Sequence, residues 1–85
     1  MKTENKIVTV EEVKQAVAEV PGFHYIADRP FSQHPDDWYL RMVLAYKESR
    51  KEYVTWIYNA SLGGLHEGRY TQDQRQAMDD FHSRY

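Results

Sequence analysis

Eighty-five residues with 11 basic and 13 acidic side chains, a formal net charge of -2 and no cysteine describe one small domain, residues 1–85, that must be held together by packing. The absence of thiols rules out a disulfide framework or a thiolate metal site and makes a reducing cytoplasm the natural compartment. The charge balance lacks the broad basic footprint of a general nucleic-acid binder, and no stretch is long and apolar enough to span a bilayer or form a signal-peptide core.

Residues 1–6 read as a flexible lead-in. Thr9 and Glu12 form a T-x-x-E capping box, with Val8 and Val13 spaced as a hydrophobic staple around it. Val10, Val13, Val17 and Val20 recur at intervals of three and four, which predicts an amphipathic helix that Pro21-Gly22 ends. The β-rich string FHYIAD, residues 23–28, predicts a short edge strand, and RPFSQHPDD after it reads as a loop.

The strongest signal follows. Trp38, Leu40, Met42, Leu44 and Tyr46 alternate with Tyr39, Arg41, Val43, Ala45 and Lys47, as in a long strand with one strongly apolar face. KESRKE is a charged turn, and YVTWIYNA, residues 53–60, is a second strand with Val54, Trp56 and Tyr58 on one side. If these strands share a single apolar face, Leu44 lies beside Val54 or Trp56, and the loop between them has three or five residues.

Residues 59–64 carry the turn formers that end this strand, and LHEGRY, residues 65–70, predicts a returning strand with Gly68 at a bulge or a close backbone approach. Thr71 and Gln74 form a second capping box, with Asp73 in the first turn and Ala77, Met78, Phe81 and Tyr85 as the apolar stripe of a last helix. The expected fold is a two-layer α+β sandwich in the order α-β-β-β-β-α: a three- to four-stranded antiparallel sheet with both helices on one face.

Chemistry-bearing patterns are sparse. His66-Glu67 lacks the second histidine of an H-E-x-x-H helix, and neighbours on a strand point to opposite faces. His34, Asp36 and Asp37, and likewise Asp79, Asp80 and His82, group metal-ligating types, but a turn and a solvated helix face account for them more simply. No serine sits in a nucleophile elbow, and the glycines of YNASLGGLHEG match neither a phosphate loop nor a dinucleotide fingerprint. No catalytic residue, metal or cofactor is expected. Arg41, Lys47, Arg50, Lys51 and Arg69 beside aromatic residues keep nucleic-acid binding as the alternative, although Glu48 and Glu52 interrupt the basic run.

If Trp38, Leu40, Met42, Leu44, Val54, Trp56 and Tyr58 face the helices, then Tyr39, Arg41, Val43, Tyr53, Thr55 and Ile57 line the opposite, open face of the sheet. Tyrosine, arginine and β-branched residues together have the composition of a protein interface. Half-polar faces are also normal in antiparallel sheets.

Tyr53-Val54-Thr55-Trp56, Tyr58-Asn59, Gly63-Gly64, Gly68 with Tyr70, Ala77 and Asp80-Phe81 resemble a recurring pattern in small uncharacterised proteins of phages, prophages and mobile elements of Gram-positive bacteria. The resemblance covers residues 53–84 and implies no activity and no catalytic residue. It implies an accessory protein that works by contact, for instance on a host or defence protein. The expected function is therefore a cytoplasmic, non-enzymatic interaction module that binds a protein partner or forms a homodimer through the sheet face or its edge strand. A nucleic-acid-binding accessory protein is the alternative, and a small hydrolase or metal protein comes third.

Overall fold

Two helices flank four consecutive strands, as the sequence pattern predicts, in a computed structural model that describes residues 9–30 and 40–83. The lead-in 1–6, Val8 of the staple, His34, Asp36, Asp37, Trp38, Tyr39 and Tyr85 lie outside the described residues. Helix α1 (Val10–Ala18) starts at Thr9, whose hydroxyl accepts from the Glu12 amide at 3.1 Å, satisfying an amide that has no partner within the helix. Gly22, with φ of 84°, turns the chain into β1 (Phe23–Pro30). Strands β2 (Leu40–Lys47), β3 (Glu52–Asn59) and β4 (Leu65–Thr71) complete an antiparallel sheet in the order β1-β2-β3-β4, and α2 (Gln74–Ser83) follows.

The helices do not share a face. Val13 and Val17 of α1 pack with Val43, Ala45, Val54, Trp56 and Tyr58, whereas Ala77 and Phe81 of α2 pack with Met42, Leu44 and Ile57. Directly opposed residues of an antiparallel pair lie on one face, and the pairs Val43–Trp56 and Ala45–Val54 alternate with Met42–Ile57 and Leu44–Thr55. The sheet is therefore the middle of three layers. The expected two-layer packing is corrected to one helix on each side, and both sides of the central hairpin are core: Met42, Val43, Leu44 and Ala45 are all at most 1% exposed.

The hairpin register has the same cause. Lys47 pairs with Glu52 across a four-residue connection, a 3-10 turn at Glu48–Arg50 followed by left-handed Lys51 with φ of 53°. Leu44 accordingly lies opposite Thr55, not beside Val54 or Trp56, and the expected odd loop is wrong. An odd loop follows only if one face must collect every large apolar residue. With a helix over each face that constraint vanishes, and the strands carry the continuous apolar runs of a sheet buried on both sides.

Each edge strand also changes phase midway. In β1, Tyr25 pairs with Ala45 and Ala27 with Leu44, so Ile26 is an extra residue. Phe23 and Tyr25 thus face α1 while Ala27 and Arg29 face α2, and Asp28 swings to the α1 side. In β4 the shift falls opposite Trp56, where Glu67 adopts a φ of 53° and Gly68 follows. A Cβ on Gly68 would meet Trp56 Nε1 and Tyr70 Cε1, each at 2.9 Å, so the glycine serves close approach while the left-handed bulge residue is Glu67.

The turn before β4 uses its own side chain. Asn59 Oδ1 accepts from the amides of Ser61 and Leu62 at 2.9 and 3.0 Å, and Gly63 and Gly64 take φ of 81° and 92°. At α2 the cap is Asp73, whose Oδ1 accepts from the Arg75 amide at 2.9 Å and whose carbonyl accepts from Ala77 at 3.0 Å. Thr71 instead receives the Asp73 amide at 3.0 Å, so the helix cap lies two residues beyond the expected Thr71.

Candidate functional site

The six residues expected to form an open sheet face do not come together. Arg41 and Val43 lie on the α1 side, Tyr53, Thr55 and Ile57 on the α2 side, and Tyr39 is outside the described residues. Val43 is 0%, Thr55 1% and Ile57 8% exposed, and Tyr53 and Arg41 are half-buried. The even-numbered loop puts odd positions of β2 and odd positions of β3 on opposite faces. That surface is replaced by two cores.

Polar side chains do gather on the α1 side. The Asp28 carboxylate, 2% exposed, accepts from Arg41 Nε at 2.6 Å and from the Tyr25 hydroxyl. Beside Arg41, the cross-strand neighbour Tyr58 donates its hydroxyl to Glu12 Oε2 of α1 at 2.6 Å. Burial, then the hydrogen bond to a carboxylate, pushes both Tyr25 and Tyr58 up to about 12. A phenol held protonated that strongly is a poor base or nucleophile; the Tyr58–Glu12 bond ties α1 to β3, and Asp28 ties β1 to β2 through Arg41. On the other side Arg29 Nε donates to the Phe81 carbonyl at 2.6 Å, satisfying the last turn of α2, and its guanidinium lies 5.7 Å from the Phe81 ring centre. Burial lowers the Arg29 pKa.

Among the described residues the two most exposed large apolar side chains, Leu62 and Tyr70, lie just before β4 and on it. Its residues 66–70 are all exposed, and β4 is an edge of the sheet. On the α1 side Tyr70, 53% exposed, meets Trp56 edge-on with ring centres 6.4 Å apart, and Phe23 bridges to both rings at 5.1 and 6.2 Å. Lys47 Nζ stands 5.4 Å over the Phe23 ring. On the α2 side an open groove of about 390 Å³ runs between Leu40, Ile57, Leu62 and His66, and Leu62 is 76% exposed. His66 Nε2 lies 3.1 Å from the Gly63 carbonyl, which fixes its ring at the groove wall.

Among the described residues no group of three or more His, Asp or Glu is placed to hold a metal ion, and no helix is long and apolar enough to cross a membrane. Asp80 is engaged by Gln76 Nε2 at 3.1 Å and lies 4.0 Å from Arg69 Nη1. Comparison with known proteins finds no match: no family model, no curated protein and no solved structure is similar to this chain.

The β4 edge had escaped the sequence reading as a site. Two signals point to it: an apolar Leu62 inside a turn of Asn, Ser and Gly, and a tyrosine two residues after a glycine in the last and most polar strand.

Proposed function

We propose that this protein is a non-enzymatic interaction module that holds a protein partner along the outer edge of β4. One observation carries the reading: the edge strand exposes residues 66–70 in a row, with the half-exposed Tyr70 ring on one flank and the Leu62 groove on the other. An exposed edge offers unpaired backbone donors and acceptors to an added strand, and flanking apolar positions supply specificity. Tyrosine beside a tryptophan core is the residue type enriched at interface centres. The ionisable side chains that do converge are engaged in bonds within the sheet and between the sheet and α1, which favours contact over catalysis. The resemblance of residues 53–84 to small phage and mobile-element proteins leans toward the same reading, an accessory protein acting by contact.

Site-specific photocrosslinking tests it. A benzoyl-phenylalanine at position 70, irradiated in the native host, is expected to give a discrete protein adduct, and the same group at His24, exposed on β1 at the opposite edge of the sheet, is expected to give none. Equal adducts at the two positions, or none at 70, would remove the β4 edge as the contact surface.

A further inference from the structure

Resting on that edge reading, we infer that β4 accepts a second copy of this chain, antiparallel, about a two-fold axis through Gly68. The choice of edge comes first. β1 ends in Pro30, which has no amide to donate, and its Tyr25, Asp28 and Arg29 side chains are drawn into bonds within the molecule. β4 contains no proline, and its residues 66–70 are exposed. Charge then selects the register. Arg69 lies opposite Thr55 and therefore on the α2 side, and Glu67 lines the groove on that same side, while Gly68 approaches Trp56 on the other. A two-fold axis at Gly68 places Glu67 of each copy directly across from Arg69 of the other, two opposite-charge pairs on one face. Moving the axis one residue, to Arg69, would set two arginines against each other, which is destabilising.

The bulge at Glu67 confines the regular part of the strand to a few residues, so the association is weak, dependent on protein concentration and supplemented by Tyr70 and Leu62. Overall charge opposes it little, because each copy carries only -2.

Charge reversal and charge swap test the register. Sedimentation equilibrium from micromolar to millimolar protein is expected to show a monomer–dimer equilibrium for the wild type. Glu67→Arg and Arg69→Glu should each weaken it roughly tenfold, and the double variant should restore it, because the swapped pairs are again complementary. Circular dichroism melts of every variant show that the fold is retained. A wild type that stays monomeric at millimolar concentration, single reversals that change nothing, or a double variant as weak as the singles would each overturn the dimer. A Tyr70 photoadduct to a different protein, with a monomeric wild type, would sink the dimer while leaving the edge reading standing.

Discussion

The Tyr58 hydroxyl donates to the Glu12 carboxylate over 2.6 Å and so joins α1 to a strand 46 residues further along the chain. The tyrosine is 6% exposed, and its ring also fills the core under α1. Tyr58→Phe keeps that ring and deletes only the bond, leaving the carboxylate one donor short. Hydrogen bonds to charged groups contribute about 1.5–3 kcal/mol. A loss in that range is expected from urea unfolding with an unchanged m-value, and Glu12→Gln should cost less in a Tyr58→Phe background than in the wild type.

Alkaline pH weakens this bond together with the Tyr25–Asp28 bond within β1. Tyr25 and Tyr58 are pushed up to about 12 in the folded protein by burial and by their carboxylate partners, whereas an unfolded tyrosine ionises near its ordinary 10. The folded state therefore holds more protons between these values. Stability from the two hydroxyls is complete below pH 10 and is lost as pH rises through about 12. Absorbance titration of tyrosinate should show two late phenols that ionise with loss of structure. Tyr25→Phe with Tyr58→Phe should abolish the late phase and flatten the fall in stability above pH 10.

Asp28 is the most buried charge of the network, with its side chain 2% exposed and both oxygens occupied by Tyr25 and Arg41. Asp28→Ala removes the acceptor of both and leaves a half-buried guanidinium without its counter-charge. Breaking one partner of a buried pair costs about 3–5 kcal/mol, and Arg41, still 21% exposed, places this site at the lower end. Asp28→Asn keeps an acceptor and should cost roughly half as much. Chemical denaturation of the two variants at neutral pH checks the order.

Local signals were readable and pairing signals were not, for a physical reason. The Thr9 cap and the Asn59 turn are each decided within a few residues, by side chains bonding to nearby backbone, so sequence alone placed them. The register of β2 on β3 depends on what covers each face. Met42, Val43, Leu44 and Ala45 are compatible with either assignment until a helix is known to lie on both sides. The bulge at Ile26 hides further still, because an unbroken alternation through FHYIAD would send Tyr25 and Ala27 to the same face, and only the separate demands of the two helices divide them. The candidate site shared that fate: Arg41 was singled out, but its partner Asp28 became visible only once the bulge had turned it inward.

The difference between core and contact surface is open to direct test by placing a carboxylate at positions that read alike in the sequence. Val43 is 0% and Ile57 8% exposed, one under each helix, and Val43 lies directly across from Asp28, so an aspartate there meets a like charge. Val43→Asp and Ile57→Asp bury an unpaired charge while opening a cavity, and losses above about 4 kcal/mol are expected for each, enough to unfold a domain of this size. Tyr70, 53% exposed, tolerates the same change, because its aspartate stays in water and Trp56 keeps its contact with Phe23 at 5.1 Å. Tyr70→Asp should therefore melt within a few degrees of the wild type while losing association at the β4 edge. Amide exchange spectra of the three variants distinguish the outcomes, and a folded Val43→Asp protein would mean that α1 does not seal its side of the sheet.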